Sequence, residues 1–261
     1  MNYTLNAKRY TLTIGWLYPE LMSTYGDRGN IIVLQKRCKW RGIKVKIKQL
    51  DLGFMISDLR ICDLLFMGGA QDRQQQIVAK DLLKKRDALK KMIDNGTPGL
   101  YICGAYQFLG RYYKEADGTI IKGLGILDLY TENPGANHPR LIGNVAIRSD
   151  LAGHTHETYE VDAQTLVGFE NHGGRTYLGK DIKPLGKVIK GFGNNGIDKT
   201  EGAIYKNSFC SYLHGPILPK NPAFADSLIK LALEKKYGLP TDLSPLNDSL
   251  ERQAHYSAVK K

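Results

Sequence analysis

The stretch "LYICGAYQFLG", Leu100 to Gly110, decides how the rest of the chain is read. It opens with a short, continuous apolar run, the pattern of a strand buried on both faces of a parallel sheet. A Gly-Ala pair then makes a tight corner, and helix-forming residues follow at once. A lone cysteine, Cys103, stands at the tip of that corner. A strand-to-helix turn of this kind exposes the side chain at its tip. It also aims the first free N–H groups of the helix at whatever that side chain attacks. The helix dipole favours an anion there, so the thiol is placed to be nucleophilic near neutral pH. Gly104 and Ala105 leave room for a substrate, and the Gly104 N–H is placed to receive an oxyanion.

Outward from this corner, strands and helices alternate. "YTLTIGWLY" is a strand, and "NIIVLQKRCKW" a helix closed by Gly42. "IKVKIKQL" and "DLLFM" are strands; in the first, Lys44, Lys46 and Lys48 alternate with Val45 and Ile47, the period-2 pattern of one wet face. The spacing predicts one long helix from about Asp72 to Asp94, stopped by "NGTPG". "QFLGRYYKE" begins the helix after the cysteine corner. Such alternation with short Gly-rich connections predicts an α/β fold, a three-layer doubly wound domain with a mostly parallel sheet. After about Lys122 the sequence turns to strand-and-turn texture, rich in Gly and Asn, which predicts β-rich insertions in the second half. The chain returns with "GAIYKNSFCSYLHGP" as a strand and "PAFADSLIKLALEKKYG" as a helix opened by Asn221-Pro222. The expected organisation is one domain over residues 8–238, with 239–261 as a C-terminal appendage holding one weak helix.

The 261 residues are enough to bury a full core, and a hydrophobic share of 42% is that of an ordinary globular protein. No apolar run approaches the roughly 20 residues that span a bilayer, and polar residues interrupt the N-terminal stretch where a signal peptide would be apolar. The expectation is a cytoplasmic protein without membrane insertion. Four scattered cysteines (Cys38, Cys62, Cys103, Cys210), with no C-x-x-C pair, oppose a zinc knuckle and a disulfide framework. The net charge of +11 would suit nucleic acid, but the lysines lie on exposed faces without interleaved aromatics, so no nucleic-acid partner is expected.

Two motifs are set aside. "GFGNNG", Gly191 to Gly196, matches G-x-G-x-x-G, yet turn and strand follow it where a dinucleotide fingerprint needs a helix. It reads as a hairpin turn. "GHTHETYE" offers His154, His156, Glu157 and Glu160, but no third His or Cys stands nearby, and no metal site is expected.

A cysteine nucleophile needs a base that can take and return a proton. "SFCSYLHGP" supplies His214 where an apolar strand stops at Gly-Pro, and "MGGAQD" ends a third strand with glycines that let a backbone N–H approach a substrate. Parallel strands present their C-terminal ends on one edge, so Cys103, His214 and Gly69 are expected to converge there.

With these residues in place, "CGAYQFLG" resembles the nucleophile motif of class I glutamine amidotransferases, in which a glutamine, here Gln107, follows the cysteine by four. Together with "GFENHGGRT" and "SYLHGP" it is similar to the cobyric-acid-synthase-like branch. "LYPELMSTYGDRGNIIVLQKRCKWRG", "FMGGAQDRQQQ" and "ENHGGRTYLG" narrow the likeness to the glutaminase subunits of lipid II isoglutaminyl synthases. The likeness covers about residues 11–233. It implies that Cys103 attacks the side-chain amide of L-glutamine to form a thioester, with His214 as acid and base. Gly104 and Gly69 would supply the oxyanion donors. Arg140 would bind the substrate α-carboxylate, and Gln107 would line the pocket or pack the elbow. No G-x-x-x-x-G-K-[ST] loop is present, so no cofactor is expected in this chain; ATP and Mg²⁺ belong to a partner. That partner is implied to be a MurT-like, Mur-ligase-type synthetase subunit amidating D-glutamate of lipid II to D-isoglutamine. A glutaminase serving a cobyric-acid-type synthetase and a non-catalytic regulatory subunit remain open alternatives. The chain departs from the usual motif at Tyr101 and Ala105, where glycines are usual, and at Pro216, where the acid that orients the histidine usually stands. A Cys–His dyad with its orienting acid supplied by the partner subunit is therefore expected.

Overall fold

Strand β1 (Thr11–Leu17) is buried along its C-terminal half, as an inner strand of a parallel sheet must be. The computed structural model describes residues 10–152 and 164–260. Helix α1 (Arg28–Trp40) returns the chain to β2 (Lys44–Leu50), which pairs parallel with β1 and forms one edge of the sheet. Direction then reverses. A short helix α2 (Ile56–Arg60), absent from the sequence reading, leads to β3 (Leu64–Met67) on the other side of β1. Helices α3 (Asp72–Leu83) and α4 (Arg86–Asp94) lead on to β4 (Gly99–Ile102), parallel to β3. Parallel crossovers are right-handed, so reversing the direction of travel puts α1 on one face of the sheet and α2 to α4 on the other. The single helix expected over Asp72–Asp94 is thus two. Lys85 leaves helical geometry (φ −108°, ψ 3°), and its buried Nζ lies 4.5 Å from the centre of the Phe54 ring and 2.5 Å from Asp81 Oδ1.

Helix α5 (Gly104–Leu109) starts directly after Cys103 and ends at Gly110. The residues expected to continue it instead form β5 (Tyr112–Lys114), which pairs with β6 (Ile120–Lys122) and β7 (Leu129–Glu132). Tertiary pairing overrides local helix preference here. Tyr113 turns into the core, and Tyr112 stacks on Tyr130 with ring centres 5.5 Å apart. Strands β8 (Leu141–Arg148), β9 (Thr165–His172), β10 (Arg175–Leu178), β11 (Gly186–Lys190) and β12 (Thr200–Glu201) complete two small four-stranded sheets, ordered β10-β7-β5-β6 and β12-β11-β8-β9. These are the β-rich insertions expected of the second half.

The stretch taken as one strand before His214 is a hairpin of β13 (Ala203–Tyr205) and β14 (Ser208–Ser211), reversed at Lys206, whose φ is +55°. Strand β14 joins β4 in parallel, and β13 closes the edge, so the main sheet runs β13-β14-β4-β3-β1-β2. Helix α6 (Pro222–Tyr237) packs on α1, and α7 (Ser249–Lys260) lies near β8 and β9. Arg37, only 1% exposed, ties residues 239–260 to this body. Its guanidinium donates to both oxygens of Asp226 (2.6 and 2.7 Å) and to both of Asp248 (2.6 and 3.0 Å), while Arg41 donates to Asp226 and to the Ser244 carbonyl. A buried guanidinium must be matched in this way, because losing one partner of such a pair costs about 3–5 kcal/mol. No helix among the described residues is long and apolar enough to cross a membrane.

Candidate active site

The parallel strands β1, β3, β4 and β14 end on one edge of the sheet, and the loops that follow them meet there. Cys103 holds φ +53° and ψ −105°, a conformation that residues with a β-carbon rarely adopt. Its N–H donates to the Ser211 carbonyl at 2.8 Å, and its own carbonyl accepts from Gln107 N–H at 3.0 Å, so sheet and helix together hold the strained corner. The thiol lines a cleft of about 300 Å³ together with Gln75, Gln107, Arg140, Asn171 and His214. The other three cysteines are inert by comparison. Burial pushes Cys38 and Cys62 up to about 12 and Cys210 well above the ordinary thiol value. Cys62 borders a wider hollow of about 470 Å³ between Arg60 and Lys235, where its thiol donates to the Asp58 carbonyl and faces no base.

His214 follows β14 and is locked by two backbone hydrogen bonds with Phe169, of 2.8 and 3.1 Å. Its ring is fully buried, and the edge of Tyr25 approaches it with centroids 5.0 Å apart. Burial alone would lower its pKa. The charge of Cys103 opposes this, helped by hydrogen bonding with Asp27 and Cys103 and by the charge of Asp27, and the balance raises the imidazole to about 10. Nε2 meets no hydrogen-bond partner of normal geometry among the described residues, and the ring lies beside Cys103: a Cβ built on Gly69 would be 2.9 Å from His214 Cε1 and 3.1 Å from Cys103 Cβ.

Nδ1 of His214 lies 3.3 Å from Asp27 Oδ1, and both side chains are wholly buried. This corrects the expectation that a partner subunit must bring the orienting acid: the carboxylate comes from this chain, 187 residues upstream of the histidine. Pro216, in the position of the missing acid, packs instead against the first turn of α1. A Cβ on Gly29 would come within 2.3 Å of its ring. That contact brings the Asp27 end of α1 against His214.

The oxyanion assignment is also corrected in one half. The Gly69 N–H donates to Asp27 Oδ2 at 2.7 Å and is therefore occupied. Gly69 serves by lacking a side chain, since a Cβ there would lie 2.9 Å from His214 Cε1 and 3.1 Å from Cys103 Cβ. The neighbouring Ala70 amide and the Gly104 amide donate to no acceptor among the described residues. They lie close together, for a Cβ built on Gly104 would sit 3.3 Å from Ala70 N.

Arg140 stands at the exposed rim of the cleft. Its Nε donates to Asn171 Oδ1 and its Nη2 to the Asn171 carbonyl, both at 2.9 Å, which orients the guanidinium. Asn171 in turn donates to Tyr25 Oη at 2.9 Å. Gln107 is buried, with Nε2 donating to Tyr212 Oη (3.2 Å) and Oε1 accepting from Gln75 Nε2 (3.3 Å). Its amide is thus engaged at both ends beneath the elbow.

The sequence reading missed Asp27, Gln75, Asn171 and His172. The last two lie in "GFENHGGRT", but nothing local shows that Asn171 grips Arg140, or that His172 stacks on Tyr212 at 3.7 Å and bonds to the Gly174 carbonyl. The "GFGNNG" stretch is the turn expected between β11 and β12. Its amides at Phe192 and Gly193 donate to the carboxyl oxygens of the buried Glu170 at 2.7 and 2.9 Å, so the turn is occupied from within the chain. His154, His156, Glu157 and Glu160 lie outside the described residues.

A strained cysteine elbow at the C-terminal edge of a parallel sheet, with an imidazole and a carboxylate behind it, is the arrangement of a nucleophilic cysteine with its base. A model of the CobB/CobQ-like glutamine amidotransferase domain matches residues 13–222, and the chain belongs to that family. It is 44% identical over 247 residues to the GatD subunit of the glutamine-hydrolysing lipid II isoglutaminyl synthase of Staphylococcus aureus, covering 94% of this chain and 93% of that protein. The Streptococcus pneumoniae GatD is 42% identical over 253 residues, covering 96% and 92%. A probable cobyric acid synthase of Methanothermobacter thermautotrophicus is more distant, 29% identical over 182 residues that make up 66% of this chain and 33% of that protein. Among solved structures, a glutamine amidotransferase superposes with a TM-score of 0.56 at 16% identity, covering 84% of this chain and 98% of that one, which establishes the shared fold.

Proposed function

We propose that the chain is the glutaminase subunit of a lipid II isoglutaminyl synthase, hydrolysing L-glutamine and passing ammonia to a MurT-like, ATP- and Mg²⁺-dependent synthetase. The observation that carries the chemistry is the Asp27–His214–Cys103 alignment at the elbow. Near-full-length likeness to two GatD subunits supports the substrate chain beyond it. In this mechanism the Cys103 thiolate attacks the side-chain carbonyl carbon of glutamine, and the oxygen's charge falls to the Gly104 and Ala70 amides. As the C–N bond breaks, His214 gives its Nε2 proton to the nitrogen, which leaves as ammonia. The neutral imidazole then takes a proton from water, whose oxygen attacks the thioester; glutamate leaves and the thiolate returns. Asp27 steadies the imidazolium at Nδ1 throughout. Ammonia then replaces an activated carboxyl oxygen on the synthetase, which converts D-glutamate of lipid II to D-isoglutamine. The co-purified pair should amidate lipid II with glutamine and ATP, and the chain without its synthetase should release glutamate only. Glutamate release absent from both preparations would refute the reading.

Arg140 is the proposed anchor of the substrate α-carboxylate, with the Nη1 edge of its guanidinium left open by Asn171. Replacing it with Lys removes the planar fork that pairs with a carboxylate. The R140K variant should raise KM for glutamine by about tenfold with a smaller change in kcat. An unchanged KM would return Arg140 to the surface charge of a basic chain.

A further inference from the structure

Among the side chains of the cleft, Gln75 carries an unexplained atom. The residue is 3% exposed, sits in the first turn of α3 and lines the cleft with Cys103 and His214. Its Nε2 donates to the Ala70 carbonyl at 3.0 Å and to Gln107 Oε1 at 3.3 Å. A carbonyl only accepts, so the nitrogen must face Ala70 and the orientation of the amide is settled. Oε1 is then left buried without a donor among the described residues. An unmatched buried acceptor is expensive, and such atoms at a site await a ligand group. His214 Nε2, the atom through which the proton passes in the proposed reaction, is unmatched in the same cleft in the same way.

The position of Gln75 says which group. A Cβ on Gly104 would lie 2.9 Å from Gln75 Nε2 and 3.1 Å from its amide carbon, as well as 3.3 Å from Ala70 N. The Gln75 carboxamide therefore adjoins the two free amides assigned to the oxyanion. Two donors beside one acceptor is the complement of a primary carboxamide, which presents a carbonyl oxygen and an NH₂ side by side. We propose that Gln75 Oε1 accepts a hydrogen bond from the NH₂ of the substrate carboxamide and makes Gln75 the residue that separates glutamine from glutamate. Glutamate has a second acceptor oxygen where glutamine has a donor, so against Oε1 it meets lone-pair repulsion. A site built to receive a donor rejects a ligand that lacks one, because the buried group is left unpaired. The same repulsion expels the product. The inference rests on the glutaminase reading above.

The test compares L-glutamine with L-glutamate γ-methyl ester, which reaches the same thioester without an N–H to donate. Both are measured on the chain co-purified with its synthetase. The Gln75→Met variant keeps the size of the side chain and removes the acceptor together with the Nε2 donor that holds the Ala70 carbonyl, a loss common to both substrates. Its kcat/KM for glutamine should fall about 10- to 100-fold further than that for the ester, while inhibition by glutamate tightens. A parallel fall for both substrates would make Gln75 a packing residue and overturn the proposal, as would no fall for either. Should Q75M fail to fold, Q75A removes the same oxygen without adding bulk and must show the same split. A wild-type pair inert toward both substrates would instead refute the glutaminase reading, and the assignment of Gln75 with it.

Discussion

Replacing Cys103 with Ala should abolish glutamate release, a loss of about 10⁴-fold or more, because it removes the atom that forms the covalent bond. Cys103→Ser should fare little better, since an alcohol has none of the thiolate character that the imidazolium stabilises. Cys38, Cys62 and Cys210 are the internal controls. Their thiols are pushed up by burial and face no base, so their Ala variants should keep normal turnover per folded molecule. Steady-state glutamate release on the four variants, with folding checked by circular dichroism, settles the point. Full activity in C103A would end the thioester mechanism. Full activity loss in all four would mean that the assay reports folding instead of chemistry.

Asp27→Asn is expected to lower turnover by about 10²- to 10⁴-fold, since a carboxamide no longer stabilises the imidazolium and disturbs the tautomer. The pH profile makes the test specific. His214 is raised from its ordinary 6.5 to about 10 against the opposing effect of burial, with the charge of Cys103 first among the raising causes and the Asp27 bond next. The His214 imidazolium is thus held at neutral pH and is lost as pH rises through about 10. Without the Asp27 carboxylate the basic limb of kcat/KM should move to lower pH. Because Asp27 also holds the Gly69 amide, Asp27→Glu is a useful companion: it keeps the charge and should keep the limb even if the rate falls. A D27N variant with the wild-type profile and rate, in complex with its synthetase, would return the orienting acid to the partner.

The Asp27 result shows where reading along the chain stops. Cys103 was legible because strand, corner and helix N-terminus are consecutive residues, so the geometry that activates the thiol is encoded locally. His214 was legible for a related reason: it ends a strand, and parallel strands share an edge. Asp27 has no such signal. It lies in a loop after β1, and contacts with residues distant in sequence, among them Pro216 on Gly29 and the Gly69 amide, hold it at the imidazole. Gly69 was placed at the right edge, but its amide could not be assigned, because whether an N–H is free depends on which carboxylate arrives from elsewhere.

The same division runs through the fold. Apolar runs of strand length, separated by amphipathic helices and Gly-rich turns, determined the parallel sheet and the edge on which the site is built. Hydrophobic periodicity is a property of neighbouring residues and survives without the rest of the molecule. Where segments were misread, partners distant in sequence decided. Tyr112–Lys114 is a strand because β7 pairs with it, and the long helix breaks at Lys85, whose buried ammonium lies over the Phe54 ring. The sequence alone therefore determined the sheet and the edge on which Cys103 and His214 meet. Only the tertiary structure decided which acid completes them, which amides stay free and what Gln75 faces, because a hydrogen bond between residues far apart in the chain has no local pattern to announce it.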